Sequence, residues 1–272
     1  MPSNFRTLVI ALATTAAIAL GGCGGNKTKE LLGSPDKLYE AARRASDNGN
    51  YRDAIAYYEQ LEARFPFSNP ARQGQLDLMY AYYKNREPES AIDQADQFIR
   101  ENPAHPRVDY AYYIKGLVQF ERNPNFIERW FNADLSQRPP IDARKSFQAF
   151  QTLVQRYPNS EYAEDSRQRM IFLRNNMARA ELNIALYYLR REAYVASANR
   201  AEHIVQVYQG TPQAADALAV MAESYKRLGQ DKLSDDARRV LELNAPDHPY
   251  LAGHWPAKRH YWKRLVPFIN RG

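Results

Sequence analysis

From about residue 35 onward, apolar residues recur at intervals of three and four positions. Such spacing gathers them on one face of an α-helix, whereas a half-buried strand would alternate with a period of two. No segment in this part of the chain alternates in that way over any length. The pattern therefore predicts an all-α protein.

The helical pattern is itself repeated along the chain. Each copy has a small residue with apolar residues four and seven positions later, and most have a proline twelve positions later. The copies are Ala54, Tyr58, Leu61, Pro66; Ala91, Ala95, Phe98, Pro103; Ser146, Phe150, Leu153, Pro158; Ser197, Ala201, Ile204, Gln209; and Ser234, Arg238, Leu241, Pro246, with Gln209 and Arg238 as departures. Twelve positions before four of the first residues lie Ala42, Met79, Ala185 and Ala222.

This is the tetratricopeptide pattern, in which each repeat is a pair of antiparallel helices. Small residues allow the two helices to cross closely, and proline ends the second helix. We predict a right-handed superhelix of five helix-turn-helix repeats over 35–246, with ten or eleven helices and a concave groove.

Two insertions lengthen the spacing between repeats. Residues 121–140 contain several prolines and predict a loop with a short amphipathic helix that buries Trp130 and Phe131. Residues 161–177 predict either an extra helix or an extension into the first helix of repeat four.

The N-terminus has the features of a secretory signal. Residues 1–22 carry one charge, Arg6, before an apolar stretch that is short for a membrane-spanning helix. The string Leu20-Gly21-Gly22-Cys23 resembles a bacterial lipobox, and Cys23 is the single cysteine of the chain. We expect a signal peptide over 1–22, a lipid on Cys23 and a flexible tether over 23–34; a chance cysteine in a plain signal peptide is the alternative. Because Gly24 replaces the aspartate typical of inner-membrane retention, the resemblance implies the periplasmic face of the outer membrane.

The net charge of +6 suggests nucleic acid as a partner, but the distribution of the charge along the chain excludes a nucleic-acid-binding protein. Residues 23–246 contain 31 basic and 30 acidic residues, whereas 247–272 contain five basic and one acidic. A nearly neutral repeat domain does not provide the field that phosphate binding needs. The excess charge belongs to a basic, aromatic tail over 247–272, which either packs loosely on repeat five or lies on an anionic surface or another subunit.

The sequence contains no recognisable catalytic or metal-binding motif. The five histidines form no His-Glu-x-x-His pattern, and the Cys23 thiol is assigned to lipid. His105 lies in the predicted turn Asn102–Pro106, where a capping or packing role is expected. We therefore predict a non-enzymatic protein with no catalytic residue, no metal and no cofactor other than the covalent lipid.

Tyrosines cluster on the first helices of repeats two and three, which line the inner face of such a superhelix. A helix with tyrosine on nearly every side cannot bury them all, and exposed rings suit peptide binding. Tyr82 is expected to be a core residue of its repeat. The other tyrosines of these two helices are either exposed in the groove or, alternatively, core residues like Tyr82. The candidate groove residues are Tyr80, Tyr83, Lys84, Arg100, Asp109, Tyr112 and Tyr113.

Several strings carry a more specific resemblance. They are Phe65–Phe67, Gln75–Lys84, Phe98–Arg100, Asn102–Pro106, Asp109-Tyr110 and Tyr157–Tyr162. They resemble the BamD (ComL) family of lipoproteins of the outer-membrane β-barrel assembly machinery, over about residues 20–245. The resemblance implies that the N-terminal half, 35–158, receives the aromatic-ended targeting signal of unfolded barrel proteins. It also implies that the C-terminal half, 159–246, docks on a periplasmic POTRA domain of BamA, with BamC along the length and BamE near the C-terminal part.

The string Ala196–Glu202 matches an Asn-Arg string of that family. The resemblance implies that Arg200 pairs with a POTRA carboxylate, for which a planar guanidinium is well suited. A solvated arginine or one paired within its own repeat is the alternative.

The sequence thus predicts a lipid-anchored periplasmic scaffold that binds BamA and barrel precursors. Two other lipoprotein classes stay open: a pilotin-like protein for pilus or secretin assembly, and a cell-wall-linked protein. The pilotin class shares the lipobox and the repeats but not the strings Gln75–Lys84 and 102–113.

Overall fold

The computed structural model describes residues 33–121 and 141–255. Within these ranges the chain forms ten α-helices and no strand, which confirms the all-α prediction. The helices are α1 Pro35–Asp47, α2 Tyr51–Arg64, α3 Asn69–Lys84, α4 Pro88–Glu101, α5 Val108–Glu121, α6 Ile141–Arg156, α7 Ala163–Arg190, α8 Tyr194–Val207, α9 Gln213–Arg227 and α10 Asp231–Asn244.

The contacts divide the chain into two compact units, 1–122 and 123–272. In the first unit each helix from α1 to α5 packs on the next, and α3 also packs on both α1 and α5. In the second unit each helix from α6 to α10 packs on the next, and α7 also packs on α9. Contact between successive first helices, added to contact within each pair, is the packing of tetratricopeptide repeats. The handedness of a superhelix over all five repeats stays a prediction.

The residues that define the repeat lie at the helix crossings. The small first residue of each copy is buried on the second helix of its pair, together with the apolar residue seven positions later. In repeats four and five a serine at this place donates a hydrogen bond across the pair: Ser197 Oγ to the Ala185 carbonyl and Ser234 Oγ to the Ala222 carbonyl, both at 2.9 Å. The twelve-residue spacing read from the sequence is therefore a direct contact between the two helices.

The ends of the second helices also follow the predicted pattern. Pro66, Pro103, Pro158 and Pro246 each lie two residues beyond the end of α2, α4, α6 or α10. A proline biases the preceding residue away from helical geometry, which stops the helix there.

The insertion before repeat four is resolved as a helical extension. The helix α7 runs through Asn175 and Asn176 without interruption, so residues 163–177 and the first helix of repeat four are one element of 28 residues. The other insertion, apart from Glu121, lies outside the described residues, and so do Trp130, Phe131, Cys23 and the signal peptide.

Candidate functional site

A cluster of aromatic rings and one lysine lies at the C-terminal end of α3. The Tyr80 ring is 37% exposed and meets the Tyr51 ring edge-on at 6.2 Å between centroids. The Tyr83 ring lies 6.3 Å from that of Tyr80. The ammonium of Lys84 stands 6.0 Å from the Tyr51 ring and 5.9 Å from the Tyr80 ring, within the range of a cation–π contact.

Helix geometry explains why three of these residues come together. Tyr80, Tyr83 and Lys84 are spaced i, i+3 and i+4, so they share one face of α3. Tyr51 joins them from the first position of α2. Tyr51 is not among the predicted groove residues, although its place directly after the turn of repeat one is a usable signal.

Tyr83 also links two first helices of the unit. Its hydroxyl donates to Glu121 Oε1 at the end of α5 over 2.6 Å. Tyr112 and Tyr113 are half-buried on the same α5, and Asp109 accepts the Tyr110 backbone N–H in its first turn. Arg100 is exposed at the end of α4, a second helix. The structure thus brings Tyr80, Tyr83 and Lys84 together and spreads the other predicted residues over α4 and α5.

Tyr82 and Tyr39 attach the aromatic helices to their neighbours. Tyr82 packs against the core between α1, α2 and α3, as expected, and its hydroxyl donates to Glu59. The Tyr39 hydroxyl donates to Asp77 Oδ2 at 2.7 Å, joining α1 to α3. Burial raises the pKa of the Asp77 carboxyl, and hydrogen bonds from Tyr39 and Gln73 oppose that effect. These contacts fix α3 while the exposed face of Tyr80 stays open.

In the second unit, Arg200 already has a partner within the chain. Its guanidinium donates to Glu181 Oε2 of α7 at 3.0 Å, and Arg144 of α6 lies 3.8 Å from the other oxygen of the same carboxylate. The Glu181 side chain is 11% exposed, whereas that of Arg200 is 47% exposed. An intramolecular pair is the alternative interpretation of Arg200, and its half-exposed side chain leaves room for a second acceptor.

An apolar cleft of about 490 Å³ lies at the start of α8, the helix that carries Arg200. Val195 is 59% exposed there, and Leu228 forms another wall. Asn199, adjacent to Arg200 in sequence, also lines the cleft. An exposed apolar concavity on the same helix as a half-exposed arginine has the composition of a protein-docking surface.

The first residues of the predicted tail are packed on repeat five. The Trp255 indole N–H donates to Asp216 Oδ1 at 3.1 Å, and His248 Nε2 lies 3.1 Å from the same oxygen. Because His248 Nδ1 accepts the Tyr250 backbone N–H, its Nε2 carries the proton donated to Asp216. Residues 256–272 lie outside the described residues, so the wider role of the tail stays a prediction.

Within the described ranges no group of three or more potential metal ligands occurs. No helix in this part of the chain combines the length and apolar character needed to cross a bilayer. His105 packs edge-on against Phe98 at 5.2 Å and accepts the Arg107 backbone N–H, in agreement with a structural turn histidine.

Comparison with known proteins assigns the family. The family model described as outer membrane lipoprotein, YfiO, matches residues 33–241. The chain is 40% identical over 261 residues to a Neisseria meningitidis protein, covering 93% of this chain and 98% of the relative. It is 36% identical to a protein of Xylella fastidiosa (97% and 91% covered) and 38% identical to one of Vibrio cholerae (89% and 99% covered). All three relatives carry the name outer membrane protein assembly factor BamD. The chain therefore belongs to the YfiO family of outer membrane lipoproteins, the family of the assembly factor BamD.

Proposed function

We propose that this protein is a component of the outer-membrane β-barrel assembly machinery and acts there as a lipid-anchored periplasmic scaffold. The observation that carries the proposal is the nearly end-to-end match to relatives named as outer membrane assembly factors. The lipobox-like string at Cys23 supports anchoring through covalent acyl chains on the periplasmic face of the outer membrane. In this role the protein binds and positions its partners, without catalysing a reaction.

The first unit would hold the targeting segment of an unfolded barrel protein. The exposed Tyr80 ring and the Lys84 ammonium offer stacking and a positive charge at one point. An extended peptide that ends in an aromatic residue and a carboxylate could use both at low entropic cost. Tyr83, Arg100, Asp109, Tyr112 and Tyr113 remain proposed contributors to the same groove.

The second unit would dock on a periplasmic POTRA domain of BamA, with BamC and BamE as further partners. The half-exposed Arg200 and the apolar cleft at Val195 support this assignment. Glu181 would hold the guanidinium in place, so that a POTRA carboxylate meets an already oriented donor.

Charge reversal at Arg200 tests the docking surface. We expect Arg200→Glu to reduce co-purification with BamA at least several-fold, because it turns an attractive pair into a repulsive one. Arg144→Glu is the matched control, since Arg144 pairs with the same Glu181 from α6. Equal losses in the two variants, or no loss at Arg200→Glu, would contradict a direct contact.

Depletion separates the scaffold role from the other lipoprotein classes. Loss of folded porins from the outer membrane on depletion supports barrel assembly. Loss of pili with normal porins would support the pilotin class, and loss of wall attachment alone would support the cell-wall class.

A further inference from the structure

The outer face of α10 carries a row of exposed apolar side chains. Leu233, Val240 and Leu243 are spaced i, i+7 and i+10, so they lie along one side of the helix. They are 45%, 38% and 79% exposed, in that order. A helix at the surface of a globular protein normally presents polar residues to solvent. These three residues, the α10 stripe, therefore need an explanation.

The equivalent positions of repeats one to four carry no large apolar residue. They lie one position before, six after and nine after the small residue that begins each copy of the repeat pattern. Their occupants are polar, charged or alanine: Asp53, Gln60 and Ala63; Ser90, Gln97 and Arg100; Lys145, Thr152 and Gln155; and Ala196, His203 and Gln206. The repeat fold thus does not require apolar residues at these positions. A contiguous exposed apolar row confined to repeat five is typical of a surface that another segment covers.

The chain that follows α10 is held against repeat five as far as Trp255. Tyr250, Leu251 and Trp255 pack on the buried cluster that contains Leu241 of α10. The Trp255 ring meets the Tyr250 ring edge-on at 5.9 Å, and its indole N–H is bonded to Asp216 of α9. The next residues of the chain therefore start from a point that is fixed beside α9 and α10.

Segment 256–272 has the length and the apolar content to cover the α10 stripe. Its seventeen residues can span up to about 56 Å when extended, whereas the 14 residues of α10 form a helix about 21 Å long. It contains three pairs of neighbouring apolar residues, Tyr261-Trp262, Leu265-Val266 and Phe268-Ile269. Burying these side chains against the stripe would remove apolar surface of both segments from water.

The charges of the two segments are complementary as well. Segment 256–272 contains five basic residues and no acidic one. Asp231 and Asp235 are exposed on α10, and neither forms an ion pair within 33–121 and 141–255. A basic segment lying on α10 supplies the missing cations, which adds a modest attraction to the apolar contact.

We propose that segment 256–272 packs along the outer face of α10 and covers the α10 stripe. The covalent link to the fixed Trp255 keeps the segment at a high effective concentration beside this helix. That advantage favours the chain's own segment over a second copy or a separate protein. The contact closes the outer side of repeat five, and it does not depend on the assembly role.

Photo-cross-linking of the full chain in intact membranes tests the contact. Leu243 is replaced by p-benzoylphenylalanine, which is apolar and photoreactive, and the products are mapped by mass spectrometry. We expect cross-links within one chain to peptides of segment 256–272. Ala63→p-benzoylphenylalanine is the matched control, because Ala63 is exposed at the equivalent position of α2 and should give at least tenfold fewer such cross-links. Cross-links from position 243 to a second copy, to another protein or to no part of the segment would overturn the proposal.

Trypsin cleavage gives an independent measurement on the purified full chain. The segment offers four cleavage sites between 258 and 264, and packing against α10 protects them. The double variant Leu233→Ser, Leu243→Ser removes most of the apolar stripe. We expect it to accelerate cleavage within the segment at least fivefold. Val207→Ser, at a 54% exposed position of α8, serves as the control with an unchanged rate.

The fold of each variant is checked by thermal melts followed by circular dichroism. Leu233 and Leu243 are exposed, so their replacement should leave the helices intact. If the double variant fails to fold, the two single variants decide, each with part of the acceleration. Equal cleavage rates in the wild type and in the folded stripe variants would overturn the proposal.

Discussion

In repeats one, two, four and five, the turn between the two helices places one residue in the left-handed region of backbone space. Gly49 and Gly229 have φ of 75° and 70°, and the equivalent Arg86 and Glu192 have φ of 62° and 60°. In all four turns the N–H of this residue bonds a carbonyl three positions back, and the next N–H reaches five positions back. The same turn is therefore built with glycine in two repeats and with long charged residues in two others.

The effect of a substitution at these turns on stability should depend on the positive φ of the backbone. A Cβ at Gly49 would meet nothing within 4 Å, so Gly49→Ala tests conformation alone. We expect it to lower the free energy of unfolding by about 1 kcal/mol, because an L-residue is disfavoured at positive φ. Glu192→Gly should raise that free energy by up to about 0.5 kcal/mol, since the relief of strain is partly offset by unfolded-state entropy.

Urea unfolding followed by circular dichroism measures both effects. Glu192→Ala keeps the backbone strain and removes the side chain, so it should stay close to the wild type. A large change in Glu192→Ala would attribute the effect to the side chain and contradict the backbone explanation.

At this scale the sequence predicted the buried positions better than the polar contacts. Ala54, Phe98 and Ile204 were placed in the core by spacing alone, because apolar burial depends on periodicity. The contacts of Gln75 with Glu62 and Glu101 span 13 and 26 positions and join three helices, so no local pattern reveals them. Arg200 was singled out as a docking residue, but its bond to Glu181 became visible only from the structure.

Among the helices, α1, α2 and α3 are joined by one buried and two partly buried tyrosines. Tyr58 is almost fully buried between them, and the hydroxyls of Tyr39 and Tyr82 donate to Asp77 and Glu59. Burial is the largest cause that raises the pKa of each of these three phenols above the usual value near 10. Nearby carboxylates raise them further.

These tyrosines should make the first unit sensitive to alkali. A phenol whose pKa is higher in the folded than in the unfolded state contributes stability that is complete below pH 10 and is lost as pH rises above that value. We expect the melting temperature to fall from about pH 10 upward, together with the appearance of tyrosinate absorbance. Tyr58→Phe removes one of the ionising groups and should weaken this dependence. An identical alkaline decline in wild type and Tyr58→Phe would contradict the assignment for Tyr58.

The helix pairs were predictable because each repeat carries the same spacing, while the exceptions needed three-dimensional information. The sequence left residues 161–177 open between an extra helix and an extension. The continuous α7 settles this, and buried Leu173 and Met177 show that the extension has its own packed face. A break in a repeat pattern identifies an insertion. Whether the inserted residues form a separate helix or extend an existing one depends on the residues against which they pack.

On the scale of the whole molecule, the division into two units falls within the predicted insertion of repeat three. The boundary lies between Arg122 and Asn123, so α5 belongs to one unit and α6 to the other. The sequence predicted the insertion from prolines and a long repeat spacing, but the repeat pattern continues across it and gave no sign of separate contact clusters. In a repeat array, stability is a sum of local terms and nearest-neighbour interfaces. Each unit therefore has its own buried leucines: Leu61 with Leu38 and Ala71 in the first, and Leu241 with Leu218 and Ala219 in the second.

This division predicts that core damage acts locally. Leu61 and Leu241 are both fully buried, so Leu61→Ala and Leu241→Ala should each cost about 2–4 kcal/mol through lost contacts and a residual cavity. Hydrogen exchange measured by mass spectrometry should show faster exchange mainly in α1–α4 for Leu61→Ala and mainly in α8–α10 for Leu241→Ala, because local unfolding follows the damaged contacts. The two variants control for one another, since the same substitution is made at equal burial. A uniform increase in exchange over both units in either variant would show that the chain unfolds as one cooperative body.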